Sequence, residues 1–296
     1  MDKAIIIGGF GFLGYSVCRA MLDEGIEVNA ISVGKEFDKV IEEKRMQIGR
    51  NANFLEDELL INEDKIGAPN PVIIPLCDFY MLEKEDLLFE HPFLQEGLLS
   101  LPPENHPIIF LLPEQLGYEG TYEFEPLAKL RQNLSTKGFL LKEVLVPTLY
   151  GPWQPEGCFF QQLLSLGKDT MTIPTLNIRE CTSDAIYVAD AASLVRDLLE
   201  EGQEGKFVLR SGENNSWRKC LISIYDSLLN SKYLSKEEGK YLTYLESIKN
   251  LSSPLDQVQK LSRDYHVIYV KEPMGILEGL EKQRNHHLRI SSGKQD

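Results

Sequence analysis

Four apolar residues, Ala4-Ile5-Ile6-Ile7, run directly into Gly8-Gly9-Phe10-Gly11-Phe12-Leu13-Gly14. An unbroken apolar run is the pattern of a parallel strand buried on both faces, and the glycines behind it allow a tight turn. From Phe12 the apolar positions Leu13, Val17, Ala20 and Met21 recur at helical spacing as far as Gly25, a suitable stop before a second strand over Ile26–Ile31. The segment is thus predicted to be a β–loop–α–β unit. A helix that begins behind such a loop presents unpaired N–H groups and partial positive charge, which suits a phosphate. Gly8, Gly11, Phe12, Leu13 and Gly14 are therefore candidate dinucleotide-binding residues, in a G-x-x-G-x-x-G spacing that Gly9 overlaps with a G-x-G-x-x-G.

The pattern repeats downstream. Pro71–Cys77 reads as another buried strand with Pro75 at its end, because proline cannot donate to a central ladder. Pro107–Leu112 and Leu140–Val146 read as further strands, with a helix from Pro126 to Thr136 between them. A helix within Phe37–Met46 and a short strand within Asn53–Leu59 are weaker expectations. Strands alternating with helices over residues 1–150 predict an α/β fold with a Rossmann-like, doubly wound parallel sheet, whose ligands lie beyond the carboxyl ends of its strands. Beyond Tyr150, helices are expected over Phe159–Leu166, Ala191–Glu200 and Trp217–Leu229, with a strand over Lys206–Arg210. Residues 230–262 read as amphipathic helices, and residues 290–296 as a flexible tail.

The chain carries a net charge of −14 with a pI near 4.9. An acidic surface excludes a nucleic-acid binder, which needs clustered Lys and Arg, but it leaves room for a dinucleotide held by backbone N–H groups. Five scattered cysteines without a C-x-x-C pair argue against both a disulfide framework and a zinc site. The short apolar start is too brief for a signal or membrane segment, so no membrane partner and a cytoplasmic location are expected. His106, His286 and His287 lack partners at ligand spacing, and no metal is expected; all three read as surface histidines.

At the end of the second strand a dinucleotide fold places a carboxylate on the adenosine ribose, and here that end reads Ile31-Ser32-Val33-Gly34-Lys35. Ser32 takes the place and Lys35 could pair with a 2′-phosphate, so NAD and NADP both remain open.

The sequence resembles the extended short-chain dehydrogenase/reductase family, the NAD-dependent epimerase/dehydratases of nucleotide sugars. Four segments carry the resemblance: Ile5–Gly14; Pro147-Thr148-Leu149-Tyr150-Gly151-Pro152-Trp153; Asp184-Ala185-Ile186-Tyr187-Val188-Ala189-Asp190; and Met274–Leu280, which contains Glu278-Gly279-Leu280. It implies a Rossmann domain over residues 1–150, a smaller C-terminal substrate lobe over 151–289 to which some segments return, a nucleotide-sugar substrate and a homodimer.

The family's chemistry rests on a Ser or Thr after the fifth strand and on a Y-x-x-x-K pair one helical turn apart, where Lys lowers the phenol pKa and Tyr moves the proton. This chain departs from that set. Pro113 stands where the hydroxyl is expected. Lys129 matches the lysine, with the role of orienting the nicotinamide ribose, and Glu125 stands four residues before it in place of the tyrosine. A carboxylate there would serve as an acid only if burial raised its pKa, and a helix-start Glu before Pro126 is the simpler reading. Tyr118 and Tyr122 lie too far from Lys129 along an ideal helix, and the literal Tyr80-Met81-Leu82-Glu83-Lys84 follows the wrong strand. Trp153, Phe159 and Phe160 line a cleft or pack the lobe, Asp184 holds a loop, and Asp190 reads as a helix N-cap. Two functions follow: an NAD(P)-dependent epimerase, dehydratase or reductase with Lys129 and Glu125 in a modified catalytic set, or a catalytically inactive nucleotide-binding sensor or interaction protein.

Overall fold

A computed structural model describes residues 1–34, 39–56, 70–121, 124–166, 174–200, 204–230 and 260–292. The opening strand β1 (Lys3–Ile7) leads through the glycine loop into α1 (Phe12–Asp23), and β2 (Glu27–Ile31) follows. Then come α2 (Lys39–Ile48), β3 (Phe54–Glu56), β4 (Val72–Ile74), α3 (Leu76–Tyr80), α4 (Glu85–Phe89) and α5 (Leu98–Ser100). β5 (Ile108–Pro113), α6 (Glu125–Lys137) and β6 (Leu141–Val146) complete the first stretch. Gly138 closes α6 in the left-handed region at φ 88°, which satisfies the last carbonyls of the helix.

The clustering of contacts divides the chain into two units. The first comprises Met1–Val146, Ala191–Leu209 and Leu261–Ile268. It is built on the eight-stranded sheet, in the order β10-β9-β6-β5-β4-β1-β2-β3, where β9 is Gly205–Arg210 and β10 is His266–Tyr269. From β9 to β3 every pairing is parallel. The inner order 3-2-1-4-5-6 is that of the Rossmann fold, with its switch point between β1 and β4. Parallel strands covered on both faces must be apolar throughout, and all six residues of β5 are buried. Around them Ile7, Ile74, Leu112, Leu134, Leu145 and Val208 form one core.

The second unit comprises Pro147–Asp190, Arg210–Lys260 and Tyr269–Asp296. Its described elements are the parallel pair β7 (Thr148–Tyr150) and β8 (Ala185–Tyr187), with α7 (Phe159–Leu164), α9 (Ser216–Asn230) and α10 (Ile276–Ser291). The helix α8 (Val188–Glu200) runs out of this unit into the first. Trp217 stacks on Phe159 at 6.1 Å and packs on Phe160, and Tyr150, Tyr187 and Leu280 join them. Phe159 and Phe160 are thus core residues.

Several boundaries differ from those expected. β4 stops at Ile74, because Pro75 lacks the N–H a ladder needs and instead introduces α3, so Leu76 and Cys77 are helical. α8 starts at Val188, which places Asp190 in its first turn; the Asp190 carboxylate accepts the Met274 N–H at 2.7 Å, and burial pushes its pKa up. His106 is buried, its Nδ1 3.0 Å from the Pro102 carbonyl. α10 extends through Ser291, into the segment expected to be a tail. Most of the expected helices of 230–262 lie outside the described residues. All five cysteines are free and buried. Among the described residues no helix is long and apolar enough to cross a membrane, and no cluster of His, Cys, Asp and Glu could hold a metal ion.

Candidate functional site: the phosphate cradle

The first unit builds the loop as a true strand–turn–helix. Gly8 donates to the Ile31 carbonyl at 2.7 Å, and Gly11 donates back to Gly8 at 2.8 Å, which folds the loop against the carboxyl ends of β1 and β2. Gly8 takes φ 75°, a conformation that glycine adopts without cost. α1 then begins at Phe12, with no side chain of its own start capping it. Its first N–H groups therefore need an external acceptor.

That acceptor is Asp78, on α3 immediately behind β4. One carboxylate oxygen takes the Leu13 N–H and the other the Gly14 N–H, both at 2.9 Å. Because β4 neighbours β1, a residue four positions past its carboxyl end, in the first turn of α3, arrives at the mouth of the glycine loop, at the switch point of the sheet. The fit is close: a Cβ on Gly11 would lie 2.3 Å from the Asp78 carboxylate. Burial pushes the Asp78 pKa up to about 6, while the Gly14 and Leu13 N–H groups and the Lys44 ammonium hold it down. At neutral pH it is an anion.

α2 supplies the counter-charge. Lys44 is buried and donates to the Phe10 and Gly11 carbonyls at 2.8 and 3.0 Å, locking the loop from the other side. Its neighbour Arg45 binds both carboxylate oxygens of Glu56 through Nε, at 2.9 and 2.8 Å, and lies over the Phe10 ring. Ser32 donates to the same Glu56 at 3.2 Å, so the position expected to meet a ribose is tied into a β2–β3 network. Lys35 and Tyr122 lie outside the described residues.

The expected catalytic pair is not drawn into any such site. β5 ends at Pro113, which offers no hydroxyl. Glu125 and Lys129 are both exposed on α6, so Glu125 lacks the burial on which an acid role depended. Two polar groups are instead buried directly after β5: Glu114 and Gln115, with Tyr118 donating its phenol to Glu114 at 3.3 Å. Tyr80 and Lys84 do not share a helix face, since α3 ends at Tyr80 and the chain reverses through Glu83 at φ 56°.

In the second unit Asp184 and Gln283 each anchor a network of buried polar groups. Asp184 accepts the Ala185 N–H at 2.9 Å, the Ser211 N–H at 2.8 Å, the Ser211 hydroxyl at 2.6 Å and the Ser216 hydroxyl, and so clamps β8 to two other segments. Gln283 on α10 bonds Gln154, Gln161 and the Gly151 N–H at 2.6, 2.8 and 2.9 Å. Trp153 packs edge-on against His286, and Ser165 meets His287 at 3.2 Å.

The loop backbone has the shape, donors and helix terminus that a dinucleotide's pyrophosphate requires. The donors, however, are taken: pyrophosphate and the Asp78 carboxylate cannot both accept from Leu13 and Gly14.

No protein-family model matches the chain. An uncharacterized protein of Bacillus subtilis (strain 168), YjaV, is 25% identical over 246 residues, which cover 76% of this chain and 99% of the relative. Among solved structures, dTDP-glucose 4,6-dehydratase from Bacillus anthracis in complex with NAD matches with a TM-score of 0.59 at 13% identity, over 99% of this chain and 98% of that one. UDP-glucuronic acid 4-epimerase from Bacillus cereus in complex with NAD matches with 0.57 at 12% identity, over 99% and 98%. UDP-glucose 4-epimerase from Thermus thermophilus in complex with NAD matches with 0.52 at 16% identity, over 96% and 98%. The chain shares the fold of these NAD-bound epimerases and dehydratases.

Proposed function

We propose that this chain is a nucleotide-binding protein on the epimerase/dehydratase fold that does not carry out hydride transfer. The observation that carries the proposal is the pairing of a formed phosphate cradle with a vacated catalytic helix: Leu13 and Gly14 hold an anion, while Glu125 and Lys129 stand exposed with Pro113 in place of the hydroxyl. Proton transfer coupled to hydride movement needs a group positioned within a sheltered site, and Glu125 and Lys129 both stand exposed on α6. The shared fold with NAD-bound enzymes supports NAD or NADP as the ligand, and the acidic protein has no need of net positive charge to hold it. Gly8, Gly11, Phe12, Leu13 and Gly14 would cradle the pyrophosphate and Ser32 would face the adenosine ribose.

One observation favours an active enzyme instead: the Tyr118 phenol donates to the buried Glu114 carboxylate directly after β5, where proton transfer would be staged. Nucleotide sugars would then be the substrates. Titration with NADH and NADPH, followed by nicotinamide fluorescence, tests the first part of the proposal, with saturable binding expected. Mass spectrometry of nucleotide-sugar mixtures before and after incubation tests the second, with no turnover expected. Turnover that disappears in Tyr118→Phe or Lys129→Ala would establish the enzyme and end the non-catalytic proposal.

A further inference from the structure

We infer that Asp78 is a built-in occupant of the phosphate cradle, an internal anion that a dinucleotide must displace before it can bind. The inference rests on the proposed nucleotide-binding function and specifies how that site is controlled.

Three features of the first unit carry it. The Asp78 carboxylate takes the Leu13 and Gly14 N–H groups with one oxygen each, a two-pronged grip on the donors that a pyrophosphate uses at a helix start. The loop is shaped around this side chain: an added Cβ at Gly11 would meet the carboxylate at 2.3 Å, and one at Gly8 would meet the Phe79 ring, the next residue of α3, at 2.7 Å. Asp78 and Phe79 therefore lie on the loop at the spot where a ligand backbone approach would be needed. Third, the charge matches. With its pKa near 6 the carboxylate is ionised at pH 7, and the partial positive charge of α1 together with the Lys44 ammonium stabilises it as it would a phosphate. Lys44 is committed to the Phe10 and Gly11 carbonyls, which keeps the loop rigid whichever anion is present.

The consequence is competition within one molecule. Only the fraction of molecules whose Asp78 side chain has left the cradle can accept a diphosphate, and apparent affinity falls by that fraction. Two charge-assisted hydrogen bonds must be given up, so removal of the carboxylate should tighten binding by at least about 10-fold and up to about 1000-fold.

The experiment compares the wild-type chain with Asp78→Ala and Asp78→Asn. Asparagine retains the size and one acceptor for α1, which guards against loss of the fold, and circular dichroism checks both variants. NADH and NADPH binding is followed by nicotinamide fluorescence, and ADP binding, which engages the cradle without any nicotinamide, by calorimetry. The expected result is tighter binding of ADP and of at least one dinucleotide to both variants, with the larger gain in Asp78→Ala. Equal affinity in all three proteins overturns the inference and leaves the nucleotide-binding function standing. Absence of binding in all three, at millimolar ligand and with native circular dichroism, overturns both.

Discussion

Glu180 of the second unit gives a pH-dependent stability whose sign follows from its burial. The side chain is 1% exposed, and one oxygen accepts the Phe159 N–H at 2.8 Å, at the start of α7. The other oxygen is buried with no partner among the described residues. Burial pushes the Glu180 pKa up to about 8, against a single opposing hydrogen bond. A carboxylate whose pKa is raised on folding keeps its proton in the native state while the unfolded chain has lost it. Its contribution to stability is therefore full below the unfolded value, 4.5, and is lost as pH rises through about 8. The difference of some 3.5 units corresponds to about 5 kcal/mol at 1.36 kcal/mol per unit. Glu180→Gln keeps the acceptor for Phe159 and removes the titration. Urea unfolding between pH 5 and pH 9 can be followed through Trp217, which stacks on Phe159 in the same core. The wild type should lose most of that 5 kcal/mol, relative to Glu180→Gln, between these limits. A wild-type-minus-variant difference that stays constant across the range would refute the reasoning, since the carboxylate would then titrate alike in both states.

Three further substitutions probe the cradle, the clamp and the exposed pair. Gly14→Ala places a Cβ 2.5 Å from the Gly8 carbonyl, a backbone atom that cannot swing away, so a loss of about 2 kcal/mol is expected in chemical denaturation despite alanine's better helix propensity. Asp184→Ala removes the acceptor shared by the Ser211 N–H and the Ser211 and Ser216 hydroxyls, and should cost about 3–5 kcal/mol in the same assay. Lys129→Ala alters an exposed side chain and should leave stability within about 0.5 kcal/mol, while nucleotide affinity is unchanged if Lys129 holds no ribose.

The opening unit was legible because each of its signals is local. An apolar run, a glycine turn and a helical repeat occupy adjacent residues, and β1, α1 and β2 formed where those signals predicted. The same holds for β5, α6 and β6. Where a boundary depended on one residue weighed against its neighbours, the reading slipped. Pro75 did end a strand, but one residue earlier than expected, because its missing N–H already excludes it from the ladder. Asp190 reads as a cap because a capping residue type stands just before Ala191, whereas Val188 and Ala189 already accept helical geometry and the carboxylate is held by Met274, 84 residues away.

Asp78 was invisible for a deeper reason. Its partners, Leu13 and Gly14, are 65 and 64 residues distant, and nothing in Leu76-Cys77-Asp78-Phe79 distinguishes a carboxylate buried on a helix start from one on a surface turn. The signal that could have found it is topological. In a 3-2-1-4-5-6 sheet the residue just beyond β4 faces the loop just beyond β1, so any acidic side chain there competes for the donors of α1. A glycine loop read alone therefore reports that a helix start is open to an anion, and the residues behind β4 decide whose anion it is. In this chain that anion is Asp78, and under the proposed displacement the state of one side chain, rather than the glycine pattern, sets how strongly a nucleotide would be held.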